Sequence, residues 1–459
     1  MQNLKTISAP VPEWKQARIF CRGAAQFFFY IWCKIFVDAR ASQYAKNGEF
    51  AAMNNKNRYT HISILAVLCA VAVAAFVLSA DAASALTGHD VRAAIFEALG
   101  HEVPAKYLTE ISDDATRAEA LRVALDAIGW GFVVHAADEI GILPEWPEID
   151  GLTYVLSTME PPAPEALVSD MSLPVTEEDL ALISEWLAAC KQDVRWRASF
   201  AYGGTELTMI KRGVADPEGS PNGDIEHGVN EPLYAATLAV DMQTVPCRIA
   251  TAIMVGANKA PLATIAAENY GVIGGINGGY FAGAKPIGVL RRQGYTDSAK
   301  FWPNRSAFGW NESGEYIFID GKYTADIAAN KKYDKYTEVL QAGPLLVKDG
   351  ALSPNTEKIH PNVMDHRHPR TFVATDGNRV YWGVVDGRDK MHSVGMTIQE
   401  LRHFCAGLGM KQALNLDGGG SSSLWWRGMT FSLPSNAHDD ERPIPYAILM
   451  FEEGADVRR

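Results

Sequence analysis

The spacing of hydrophobic positions changes once along the chain, and the change divides it. From Leu86 to about Val194 apolar residues recur at helical intervals, as in Val91, Ile95 and Leu99 and again in Ala118, Leu121 and Leu125. The runs Asp114 to Glu119 and Thr176 to Asp179 supply capping residues at helix starts. Prolines at 144, 147, 161, 162 and 164 mark a linker within this half. After Trp196 the apolar runs shorten to strand length, at 207–210, 234–240, 249–255 and 272–276. Further strands are expected at 339–341, 344–347, 371–375, 380–385, 413–416 and 446–451, with helices over 261–268 and 397–406. The pattern predicts an α/β domain over 196–459, a mixed sheet with flanking helices, preceded by a small, mostly helical module over 86–195. No internal repeat is visible.

One apolar run stands apart. Ile62 to Ala80 follows Lys56 and Arg58 and precedes Ala83-Ser84-Ala85, a small-residue cleavage pattern. Residues 53–85 are therefore expected to be a signal peptide, with a mature N-terminus near Leu86, or a membrane anchor if the run is left uncleaved. Met53 opens this segment, so residues 1–52 are expected to be a non-native or disordered extension. Their aromatic cluster at 27–32 reads alternatively as a first membrane segment. Export places the protein in the medium or the cell envelope of a bacterium.

Beyond residue 85 the chain carries 33 basic and 50 acidic side chains. Such an acidic surface argues against nucleic acid as a partner, because phosphate backbones must be neutralised by Lys and Arg. Cys190, Cys247 and Cys405 are widely spaced, without a CxxC or Cys/His ladder, so neither a zinc site nor a disulfide framework is indicated. No cofactor is called for. The stretches 116–120, 137–143 and 174–178 loosely resemble an S-layer homology module. That resemblance implies a wall polymer as a partner of residues 86–195; a plain helical spacer is the other reading.

Five polar clusters sit at strand ends after Trp196. Asn277-Gly278-Gly279 follows one strand, where glycines permit close approach of backbone N–H groups to an anion. Gln341 to Pro344 forms a sharp turn. His366-Arg367-His368-Pro369-Arg370-Thr371 brings cations to the start of a strand, and Asp386-Gly387-Arg388 ends another with a carboxylate and a guanidinium. Asp417 precedes Gly418, Gly419 and Gly420, then Ser421, a run whose entropy cost only a tight approach readily explains.

Together, and in this order, NGGYF, QAGPLLV, HPRT, VDGR, the helix carrying Glu400, LNLDGGGSSSL and the stretch from Asn436 to Arg442 resemble the phosphodiester glycosidase family. The resemblance implies cleavage between the anomeric carbon of a sugar and a phosphate oxygen, through an oxocarbenium-like transition state. A leaving phosphomonoester has a second pKa near 6 and needs less proton donation than an alcohol. The site must then supply a phosphate clamp and a carboxylate. Arg370 is the expected clamp, with Arg388 and Arg442 as second choices. Asp417 and Asp386 are the expected paired carboxylates, with Glu400 as a third candidate. Asn277, Gly278, Gly279, Thr371, Gly418, Gly419, Gly420 and Ser421 are expected to line the substrate. His366 and His368 read as ordinary surface histidines. Two other readings stand beside this one: a metal-dependent phosphodiesterase using Asp386, Asp417 and His366, and a non-catalytic envelope protein that binds glycan.

Overall fold

The computed structural model describes residues 86–217, 230–252, 256–298, 302–327, 333–354, 357, 359–435 and 440–452. The expected signal segment and the extension before it lie outside them, as does Asn436. Among the described residues no helix is long and apolar enough to cross a membrane.

Two helices start where the sequence places caps, at Thr116 and Thr176, and another opens the same way at Thr87. Gly88–Leu99, Arg117–Ala127 and Glu177–Cys190 each open on a threonine whose hydroxyl accepts from the N3 backbone N–H while the N3 carboxylate accepts from the threonine N–H. Gly131–Ile142, Gly151–Thr158 and the short Glu165–Val168 are further helices of this part. Gly151–Thr158 is capped by Asp150.

The remainder holds three main sheets, every pairing of which is antiparallel, with helices Leu262–Ala267 and Ile398–Gly407. The largest has eight strands, in spatial order Arg195–Tyr202, Thr205–Arg212, Leu233–Val240, Val380–Val385, Arg370–Thr375, Gln412–Asn415, Leu345–Lys348 and Ala351–Leu352. The first of these had no counterpart in the sequence reading, although Trp196, Ala198 and Phe200 alternate inward with period two. A five-stranded sheet places Val272–Asn277 between Leu424–Trp426 and Tyr446–Phe451. The third is built from short strands between Leu290 and Gln341.

The helical part and the large sheet share one core. Trp146 packs on Phe200 with ring centroids 5.6 Å apart and on Trp426 at 6.0 Å. Tyr154 meets Trp196 at 6.3 Å, and Phe132 meets Tyr234 at 5.0 Å. Trp130 donates its indole N–H to the Gly213 carbonyl, and Glu145 takes both ends of the Arg427 guanidinium. Residues 85–459 form one compact unit. The helical module read over 86–195 is thus packed against the large sheet in one unit with it.

Register fixes where the chemistry gathers. Arg370 pairs with Val385 and Phe372 with Asn415. The chain therefore leaves Val385 and Asn415 at the edge where the 370–375 strand begins. The glycine loop after Asn415 folds over that edge: Leu416 donates to Thr371 and Gly419 to Pro369. Asp417 N–H then reaches Gly278 O, joining the end of the five-stranded sheet to the same place.

Candidate active site

Asp417 stands where the two sheets meet. Its carboxylate is half-buried and accepts from the Ser421 hydroxyl and the Gly418 N–H, with the Arg442 guanidinium nearby. Burial outweighs these donors and lifts its pKa to about 6. Behind it lie two phenols, Tyr280 and Tyr446, both pushed upward by burial and by the Asp417 charge. Tyr280 donates to Gly343 O at 2.8 Å and accepts from Asn415 at 2.9 Å. Gly278 is required by packing, since a Cβ there would lie 2.3 Å from the Tyr446 ring.

Two guanidinium groups face this carboxylate region. Arg442 reaches the Ser421 hydroxyl at 3.3 Å. It follows Glu441, whose carboxylate is pinned by the N–H groups of Leu262 and Ala263 and by the Ser423 hydroxyl at 2.6 Å. Arg388 is exposed, with a left-handed backbone at φ 65°, and feels Arg442 as a repelling charge. It lies against Gly419, itself at φ 62°, where a Cβ would stand 3.0 Å from the guanidinium. A half-open carboxylate that titrates near pH 6, with one guanidinium nearby and another on its glycine loop, is suited to a substrate that is cationic in its transition state and anionic at its leaving group.

Residues 270–451 match the profile of the phosphodiester glycosidase family. That span is a phosphodiester glycosidase-family domain. Among solved structures the chain is similar to the catalytic domain of zebrafish N-acetylglucosamine-1-phosphodiester alpha-N-acetylglucosaminidase, auto-inhibited by its pro-peptide. The identity is 16%, covering 56% of this chain and 88% of that one at a TM-score of 0.43. A hypothetical protein from Synechocystis shows 15% identity over 57% of this chain and 76% of its own, with a TM-score of 0.42. A putative exported protein from Burkholderia pseudomallei K96243 shows 12% over 56% and 97%, with a TM-score of 0.45. No curated protein matches the chain.

Within the phosphodiester glycosidase domain, several expected site residues have other work. Arg370 is 2% exposed, and its guanidinium donates to the carbonyls of Met396 at 2.6 Å, Val363 at 2.7 Å and His366 at 2.8 Å. Burial lowers its pKa to about 10. It ties the 363–366 and 396 segments to the strand rather than presenting a fork to solvent, so the structure corrects its reading as the clamp. Asp386 is 1% exposed, shares a hydrogen bond with His392 Nε2 at 2.9 Å and accepts from Leu433 N–H at 2.8 Å. Burial pushes Asp386 far up and His392 far down, so each favours its neutral form, and the neighbouring Lys211 falls to about 7. The expected Asp417–Asp386 pair is not formed: Asp386 faces this buried cluster, whereas Asp417 faces Ser421 and Arg442.

Glu400 sits at N3 of the 398–407 helix, accepting from Thr397 N–H at 2.8 Å and pairing with Arg367 at 3.4 Å. It lines a separate cavity of about 420 Å³ with Arg212, Glu231 and His403. Asn277 is buried and spends its whole amide on the scaffold: it donates to Gly278 O and Asp417 O and accepts from Thr371 and Ser423. Thr371 is buried behind it, 3.0 Å from the Ser422 hydroxyl. The glycine N–H groups are largely taken as well. Gly278 donates to Tyr446 O, Gly279 to the Tyr446 hydroxyl, Gly418 to Asp417 and Gly419 to Pro369 O. Buried Gly420 completes the turn. These glycines permit close packing of the two sheets, and the expected anion cradle is not available from them.

Sequence reasoning passed over His368. It is half-buried and touches Arg388, and its position directly before Pro369 at a strand start was the available signal. Among the described residues no three His, Cys, Asp or Glu side chains converge as a metal site.

Proposed function

We propose that the domain hydrolyses the bond between the anomeric carbon of a sugar and a phosphate oxygen. The observation that carries this reading is Asp417, a half-open carboxylate with a pKa near 6 that has Arg442 nearby and Arg388 against Gly419 of its own loop. In this reading the two guanidinium groups receive the phosphate, in place of Arg370. As the glycosidic bond breaks, its electrons pass to the phosphate oxygen, which the cations stabilise as a dianionic monoester. Asp417 meets the positive charge that grows at the anomeric carbon, and water completes hydrolysis there. A single facing carboxylate suffices because the leaving group needs little protonation.

The signal-like run 62–80 supports export, with a glycan phosphodiester of the exopolysaccharide or cell wall as substrate. Cleavage of α- and β-linked sugar-1-phosphodiesters in ¹⁸O-water tests the chemistry. Label in the released sugar is expected. Label in the phosphate would show attack at phosphorus, and activity lost to a chelator and restored by a divalent ion would favour the metal-dependent alternative.

A further inference from the structure

We propose that His368 is a positioning residue that holds Arg388 on the glycine loop through the lone pair of its Nδ1. The inference rests on the reading of Arg388 as a phosphate-binding group.

The imidazole has its proton fixed by its surroundings. Nε2 lies 2.9 Å from the carbonyl oxygen of Asn362, which can only accept, so Nε2 carries the hydrogen. In the neutral ring Nδ1 is then an acceptor. Arg388 approaches it with Nε at 3.4 Å and Nη2 at 3.3 Å, and a guanidinium has only donors to offer. The ring is kept neutral from every side: burial, Arg370, Arg388 and His366 all oppose its protonation, against the single favourable contact with Asn362. The backbone of His368 is itself anchored, exchanging hydrogen bonds with Met396 at 3.2 and 3.1 Å.

Arg388 needs such an anchor. Its side chain is exposed and Arg442 repels it, so a contact that fixes its position is of use before an anion binds. Between the Nδ1 lone pair and the bare Cα of Gly419 the guanidinium is held on the loop that carries Asp417. Ordering a long side chain before binding removes that cost from the binding step, so loss of the anchor should appear in affinity. The hydrogen bonds are long, and the effect belongs in the range of one immobilised side chain.

The test compares His368→Leu, which lacks an acceptor, with His368→Gln, whose carbonyl can replace one, on a sugar-1-phosphodiester and on an aryl glycoside of the same sugar. His368→Leu should raise KM for the phosphodiester roughly 3- to 10-fold with kcat little changed, and leave the aryl glycoside unaffected. His368→Gln should restore most of the loss. In an Arg388→Met background, His368→Leu should cost nothing further. An equal KM penalty in both backgrounds, or a lower melting temperature with KM unchanged, would overturn the proposal and leave His368 as an anchor for Asn362 alone. Should the leucine variant not fold, His368→Met serves the same comparison. The two readings fail separately: label in the phosphate would sink the glycosidase reaction while coupling between His368 and Arg388 stood.

Discussion

Arg442 and Asp417 are joined through one hydroxyl. Ser421 Oγ accepts from Arg442 Nη1 at 3.3 Å and donates to the Asp417 carboxylate. The guanidinium therefore stabilises the charged carboxylate from a distance and stays outside a direct ion pair, which would push the pKa below the ordinary range. Burial wins, and Asp417 titrates near 6.

Asp417→Asn tests the role of that charge. The isosteric amide keeps the loop but cannot balance an anomeric cation, so kcat should fall roughly 10²- to 10⁴-fold with KM little changed. In the wild type, kcat should decline as pH drops through about 6, where the carboxylate takes up a proton. Stability follows with a defined sign. A folded pKa raised above the unfolded value near 3.9 makes the ionised form a cost to the fold, absent below that value and fully present above about 6. At pH 7.5 the asparagine variant should thus melt higher, by roughly 1–3 °C after allowing for solvent at a half-open site, and at pH 4 no higher. A dead enzyme that melts lower at pH 7.5 would mean that Asp417 is part of the scaffold.

Arg370→Lys should behave as a structural lesion. The lysine brings one compact donor group in place of a fork that spans three carbonyls, leaving buried acceptors unpaired. About 2–4 kcal/mol of stability should be lost, visible as a lower denaturation midpoint. At temperatures where the variant is folded, phosphodiester and aryl glycoside turnover should fall together. A selective loss of the phosphodiester, with stability kept, would return Arg370 to the clamp.

The sequence made the strands visible because their buried positions are continuous: Val380–Val385 and Tyr446–Phe451 lie where short apolar runs between turn residues put them. It also located the edge where the chemistry gathers, since Asp417 and Arg388 both fall in loops after strands. What it could not tell was the direction of each side chain at that edge. Asp386 and Asp417 occupy equivalent places, after a strand and before glycine, yet one turns under the loop to His392 and the other stays half-open. Arg370 is drawn inward by the carbonyls of Val363 and His366, just before it in the chain, and by that of Met396, which tertiary folding brings near. The glycines of 277–279 and 418–420 were read as room for a ligand, and the room is occupied by Tyr446, Pro369 O and Arg388. Tyr446, Pro369 and Met396 are remote in sequence from the residues they decide, and His392 and His366 are close in sequence but are brought into contact only by the fold of their loops.

The helical part is expected to be needed for folding, because its removal would uncover a core and not a seam. Trp196 and Phe200 are each 3% exposed, and their partners include Tyr154 and Trp146 from the other side. Tyr234 would lose the ring of Phe132, and Gly213 O its indole donor. Uncovering an aromatic side chain of this size costs on the order of 1.5–3 kcal/mol, so three or four such losses rival the whole stability of a domain. Expression of residues 196–459 alone should therefore give aggregated protein, whereas residues 86–459 should be soluble and fold cooperatively. The single substitution Trp146→Ala should lower stability by about 3–5 kcal/mol by the same reasoning. The contact with the site gives a second readout. Phe132 stands against His392, 5.0 Å between ring centres, in the loop that also presents Arg388. Phe132→Ala, in a protein that remains folded, should raise KM for a phosphodiester more than for an aryl glycoside. A soluble, folded and fully active 196–459 fragment would show that the helical part is a detachable spacer, and that the sheet domain repacks its own exposed face.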